Sequence, residues 1–251
     1  MNGRVDTKLL SLPKIERGET QKGVNATVLQ FIADRFPLDK TLKVLDLPCG
    51  SMLFLEYIKK LFPGSILKGA DIYDVGQKPD VNFIKMDLTQ DFLIPPEEKF
   101  DLITSISGVM MFGNTARFIS NCTKFLAHGG TFIITNDNSA TIVDKFFFLF
   151  LGRYRLFKPV FEDNETLIQN VSLQELCRLL KINGLVIETI KFTSIYLKDL
   201  IFLPFALLIY PVQLFYLYRY KPQIPRQVIK LMFPFRHYFC RHYIIVTKKA
   251  L

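Results

Sequence analysis

The stretch KVLDLPCGSMLFLEYIKKLFPG, residues 43–64, decides the fold. Lys43 to Leu47 is a short apolar run bounded by turn residues, which reads as a buried strand. Met52 to Phe62 repeats its apolar residues at helical spacing and stops at Pro63-Gly64. The same alternation extends in both directions. Upstream, Val28, Leu29, Phe31, Ile32 and Phe36 give a helix over Gly23–Phe36, with Asn25 as its expected N-cap and Pro37 as its stop. Downstream, Ser65–Ile72, Val81–Met86 and Phe100–Ser105 read as strands, Thr115–Leu126 as a helix, and Thr131–Asn136 as a strand opened by Gly129-Gly130. Ser172 and Glu175 stand in capping-box positions for a helix over Ser172–Lys181, which Asn183-Gly184 closes. Further strands follow at Leu185–Phe192 and near Tyr243–Thr247. Strands alternating with helices imply an α/β fold, a doubly wound, mostly parallel seven-stranded sheet with helices on both faces.

Composition narrows the class. The chain has 251 residues, 49% apolar and 22% charged, with a formal charge of +9. That length and balance suit one folded domain over residues 1–251 and exclude a disordered or fibrous chain. Cys49, Cys122, Cys177 and Cys240 lie far apart and show no metal-ligand spacing, so neither a metal site nor a disulfide framework is expected. Met1 to Gly23 is polar and lacks the apolar core of a cleaved signal, which puts the expected location on the cytoplasmic side.

In a doubly wound sheet the loop after the first strand faces the ligand crevice. Here it has neither the GxGxxG of dinucleotide-binding folds nor the GxxxxGK[ST] of phosphate loops. Val44-Leu45-Asp46-Leu47-Pro48-Cys49-Gly50-Ser51-Met52 resembles instead the first motif of class I S-adenosylmethionine-dependent methyltransferases, VLDxGCGxG. Pro48 and Met52 depart from that motif, each standing where the family has glycine, and Met52 brings a side chain to the place where the helix nears the cofactor. Later landmarks fall in the family's order: Gly69-Ala70-Asp71-Ile72, Met86-Asp87-Leu88, Phe100 to Ser105, and Phe125 to Thr131. The resemblance implies a Rossmann-like methyltransferase fold with S-adenosylmethionine as cofactor, held by residues 22–137. Its implied contacts are Asp46, Leu47, Pro48, Cys49 and Gly50 of the first loop, Asp71 and Ile72 for the ribose, Asp87 and Leu88 for the adenine, and Ser105. Asp74 is a rival for the ribose. Asp46 as a helix cap, and Asp71 or Asp87 as turn residues, are the plain alternatives.

The acceptor side is less defined. Ser107 to Phe112 carries no acidic–histidine pair, so Asp137, just past the fifth strand, is the first candidate general base; Glu162, Asp163 and Glu165 follow. His237 and His242 read as packed or solvent-facing residues. Met110, Met111 and Phe112 line an apolar acceptor pocket or belong to the core. The NPPY-type motif of adenine-methylating relatives is missing, which disfavours nucleic acid. Residues 138–171 and 194–236 are apolar and basic. Leu200 to Tyr218 has no charged residue, and no Asp or Glu occurs from Leu200 to Leu251. A single membrane crossing would separate the last strand from its sheet, so this apolar insert before the last strand is an in-plane or hairpin-like element at a membrane, or a lid. The leading expectation is methyl transfer to a small hydrophobic or lipid-linked acceptor, with the protein peripheral on the anionic inner face of a membrane. The alternatives are a soluble enzyme with the insert as homodimer interface, and a catalytically degenerate scaffold.

Overall fold

The computed structural model describes residues 15–111, 113–158, 169–220 and 225–250. It runs α1 (Val24–Arg35), β1 (Lys43–Asp46), α2 (Leu53–Leu61), β2 (Ile66–Asp71), β3 (Val81–Lys85) and β4 (Phe100–Ile106), followed by α3 (Thr115–Phe125) and β5 (Leu126–Asp137). Then come α4 (Ile142–Leu151), α5 (Leu173–Ile182), β6 (Leu185–Ile195), α6 (Leu203–Tyr220), α7 (Arg226–Met232) and β7 (Cys240–Lys249). The seven strands form one sheet in the order β3-β2-β1-β4-β5-β7-β6. β1 to β5 pair parallel, whereas β7 is antiparallel to both β5 and β6. The chain leaves β1 toward β2 on one side and returns to β4 on the other, so the order reverses between β1 and β4, and the carboxyl ends of these two strands frame the ligand crevice expected of such a sheet.

Two-residue periodicity splits the core between the faces. Val44, Leu102 and Ile133 pack with α1 and α2, while their neighbours Leu45, Ile103, Phe132 and Ile134 pack with α3 and α5. The central strands are thus buried on both faces, which is why they read as unbroken apolar runs.

Two local readings change and one holds. Asn25 does not cap α1: Gly23, at φ +83°, takes that place, and the Asn25 amide donates to the carbonyls of Glu16 and Arg17. Ser172 does cap α5, accepting from the Glu175 N–H at 3.2 Å. The apolar insert is neither a hairpin nor a covered lid. It is a 3-10 turn, Leu197–Phe202, followed by the single helix α6. Pro204 sits in the first turn, where its missing N–H is harmless, and Pro211 is accommodated inside. Only a seam of α6 packs inward: Ala206 is buried with Ile142, Val143, Tyr238 and Phe239, and the Tyr210 hydroxyl donates to the Phe233 carbonyl. The Arg241 guanidinium holds Asp199 at 2.6 and 2.7 Å, rooting the 3-10 turn on β7.

Gly69 on β2 lets the loop after β1 lie against the sheet. A Cβ there would come within 2.9 Å of both Cβ and Sγ of Cys49 and 3.1 Å of Leu55. Gly69→Ala should therefore lower stability by about 1–3 kcal/mol, measured as a drop in the urea midpoint with an unchanged slope.

Candidate functional site

The crevice is built on a loop tied to both neighbouring strands. Leu47 N–H donates to the Thr104 carbonyl of β4 at 2.9 Å, and Cys49 N–H to the Ala70 carbonyl of β2 at 3.0 Å. The Leu47–Pro48 peptide between them is cis. Gly50 has a φ of +46°, where a side chain is strained, and a Cβ would meet the Glu19 carboxylate at 3.2 Å. Met52 adopts φ +60° at the start of α2 and is fully buried in the apolar layer shared with α1.

Asp71 closes the loop from the tip of β2. One carboxylate oxygen accepts from Gly50 N–H at 3.0 Å and the other from Tyr73 N–H at 3.2 Å. Asp46, at the tip of β1, is 2% exposed and accepts from the Thr104 hydroxyl at 2.6 Å. Among the described residues it takes part in no ion pair. Burial pushes its carboxyl up to about 7, the Thr104 hydrogen bond opposes this, and the nearby Asp71 charge adds to it. Cys49 is a backbone contributor: burial, with Asp46 and Asp71 beside it, raises its thiol far above the ordinary range and keeps it protonated.

The other expected contacts take different positions. Asp87 is exposed, with Oδ1 accepting from Thr89 N–H at 2.9 Å in a turn, and Leu88 is buried in the core. Ile72 is 53% exposed beyond β2. Ser105 is fully buried on β4, and its hydroxyl has no partner among the described residues. Met110 is buried and Met111 packs against the core, and Gln169 bonds through its N–H and its side chain to the Met110 and Val109 carbonyls. Phe112, Glu162, Asp163 and Glu165 lie outside the described residues. Asp74 lines a separate hollow of about 480 Å³ with Lys78, Asn82 and Lys85, away from the loop after β1.

Two features were not read from the sequence. Residues 15–23 form a strap over the crevice: Glu16 N–H donates to the Tyr57 hydroxyl, Glu19 faces Gly50, and Thr20 bonds to the Ser107 hydroxyl. Its far end is held by Ser194 and Tyr196, which donate to the Lys22 carbonyl and the Gln21 side chain. Second, Asp137 is not alone at the end of β5. Its Oδ1 lies 3.0 Å from Nδ1 of the fully buried His242, directly opposite on β7, and Nε2 of that ring is 3.3 Å from the Ser107 hydroxyl. His242 is packed, as read from the sequence, and it is joined to the candidate base Asp137 in a connected pair. His237 takes no part: burial lowers it to about 4, and its Nδ1 donates to the Pro234 carbonyl.

A family model described as a methyltransferase domain matches residues 18–190, more than half of the chain. The chain belongs to the methyltransferase-domain family. The malonyl-acyl-carrier-protein O-methyltransferases 1 and 2 of Ilyobacter polytropus share 26% and 25% identity with this methyltransferase domain over 130 residues, 46% of this chain. The chain spans about half the length of these curated relatives, 47% and 49%. A S-adenosylmethionine-dependent methyltransferase from Archaeoglobus fulgidus superposes with a TM-score of 0.58 at 17% identity, covering 90% of this chain and 93% of its own. The 4+2 cyclase SpnF superposes at 0.56 and 14% identity, over 98% and 92%. These likenesses establish the mostly parallel, Rossmann-like methyltransferase fold.

S-adenosylmethionine carries a sulfonium and an ammonium, and the residues present fit it. Asp46 is a buried carboxyl whose ionised form a positively charged partner would favour, and Asp71 holds acceptor lone pairs beside the Gly50 turn. Before such a ligand binds, Asp46 makes the folded state sensitive to pH. Below about 3.8 both states are protonated and no penalty exists. Between there and about 7 the unfolded chain gives up its proton first, so stability falls as pH rises, and above that the penalty is constant. Asp46→Asn should therefore gain on the wild type between pH 4 and pH 8, by up to about 4 kcal/mol, when urea midpoints are compared at both pH values. A difference that does not change with pH would mean that the carboxylate is already paired.

Proposed function

We propose that this chain is an S-adenosylmethionine-dependent methyltransferase whose acceptor is a small hydrophobic or lipid-linked molecule, met at an anionic membrane surface. The observation that carries the enzymatic reading is the pair of adjacent strand-tip carboxylates: Asp46, buried without a cation, and Asp71, tied to the Gly50 turn. When bound, the cofactor would supply an electrophilic methyl on a sulfonium, with the sulfur as the leaving group. The chain's own residues bind, orient and shield, because methyl transfer is mostly a matter of holding an acceptor in line. The strap over residues 15–23 supports this by covering the crevice against water.

The membrane part rests on α6. Leu207, Leu208, Val212, Phe215 and Tyr216 are more than half exposed, and Phe148 to Leu151 at the end of α4 add to the same apolar surface, with Phe146 against Phe202 and Phe205. The span Leu197–Arg219 is long and apolar enough to cross a bilayer, yet only 6% of its most apolar window is buried. A single crossing is excluded by topology, because β7 follows α6 and inserts between β5 and β6. A helix apolar all round needs an apolar surrounding, and one lying in the interface meets that need. Arg226, Lys230 and Arg236 follow it, all exposed, with no acidic residue from Leu200 onward, each basic group near an anionic surface contributing about 1 kcal/mol. The acyl-carrier substrate named for the Ilyobacter relatives agrees with an acceptor bearing an acyl chain.

Two measurements check this. Calorimetry should register S-adenosylmethionine binding, and Asp71→Ala should weaken it by about 1.5–3 kcal/mol; no heat at millimolar cofactor would leave a scaffold. In flotation, the protein should rise with vesicles containing anionic lipid and be released by salt, while Leu208→Glu with Val212→Glu stays in the soluble fraction. Wild type remaining soluble, and dimeric on a sizing column, would make α6 a dimer interface instead.

A further inference from the structure

Ser107 follows the last residue of β4 and sits at φ +58°, a left-handed conformation that non-glycine residues rarely hold. Its N–H is fixed by the Thr135 hydroxyl at 2.9 Å. This backbone strain places the Ser107 hydroxyl at the β4 edge of the crevice, half-buried, under Thr20 of the strap. Behind it lie Nε2 of His242 at 3.3 Å and, beyond that ring, Asp137 at 3.0 Å. In a neutral His242 ring that donates from Nδ1 to Asp137, the Nε2 lone pair faces Ser107. The chain Asp137–His242–Ser107 therefore ends in a hydroxyl able to take a proton from the crevice and pass its own inward.

Resting on the methyltransferase reading, we propose that Ser107, His242 and Asp137 form a proton relay, and that the acceptor is a neutral hydroxyl which must lose its proton as it is methylated. The acceptor oxygen provides the electron pair for the new carbon–oxygen bond, and the pair of the broken carbon–sulfur bond stays on sulfur. The acceptor proton goes to Ser107 while the Ser107 proton moves to Nε2, and the imidazolium returns it to solvent after release. A carboxylate acceptor would need no such relay, and it would enter a crevice already lined by Asp46, Asp71 and Glu19. Ser107 is the group that meets the acceptor; His242 and Asp137 are positioning residues acting through it.

The chain has three histidines, His128, His237 and His242, few enough for their ring nitrogens to be resolved by NMR. In the isotope-labelled cofactor-free protein at neutral pH, His242 is expected as the Nδ1–H tautomer. Ser107→Ala should shift its Nε2 resonance, and Asp137→Asn should admit the other tautomer. A hydrogen on Nε2 in the wild type overturns the relay. The second readout supplies methyl-labelled S-adenosylmethionine and a total lipid extract. The label is expected in an alkali-stable methyl ether, and both Ser107→Ala and His242→Gln should lower kcat by about 10²–10⁴-fold with calorimetric cofactor affinity unchanged. An alkali-labile methyl ester, an unchanged kcat in a folded Ser107→Ala protein, or cofactor binding without transfer to any hydroxyl-bearing lipid overturns the proposal. Failure of the wild type to bind cofactor would instead remove the methyltransferase reading itself.

Discussion

The crevice depends on one loop being clamped from both sides. Leu47 extends the pairing of β1 with β4, and Cys49 reaches across to β2, so the backbone between them has almost no freedom left. That clamp keeps Asp46 buried against Thr104 and brings Gly50 under Asp71. A carboxylate held in this way resists ionisation in the empty protein. The fold thereby tolerates a local destabilisation at the point where a cationic ligand would relieve it, the usual trade between stability and function.

Local pattern made most of the architecture legible. The sheet strands are apolar on both faces, so each stood out as a short run between turn residues, and the motif with the strand after it carried Asp46, Gly50 and Asp71 within 26 residues of one another. What stayed hidden was long-range. Ser107 and His242 are 135 positions apart, and they meet only because β7 runs antiparallel beside β5 and sets His242 opposite Asp137. Hydrophobic periodicity cannot reveal that register. The strap was equally invisible, since its bonds are made by backbone groups and by polar side chains typical of any loop. Asn25 illustrates a third kind of miss: a good capping residue is out-competed when a glycine two positions earlier takes the left-handed turn and the amide finds tertiary partners.

Architecture and chemistry separate in this fold. The structural neighbours include a methyltransferase and a cyclase at nearly the same likeness, so the sheet alone does not name a reaction. Two features of this chain stand outside the loop after β1: α6, and the group of residues joining β4, β5 and β7. The two are mechanically linked, because Arg241, which anchors the root of α6 through Asp199, immediately precedes His242 on β7.

The placement of β7 has a consequence for assembly. This strand enters between β5 and β6 although it is made after both, so each of those strands presents an unsatisfied edge until residues 240–249 emerge and slot in. Until then the nascent polypeptide bears two sticky flanks beside a greasy helix, α6. A premature stop near the carboxyl end would leave a species prone to clumping, far worse than a merely inactive one.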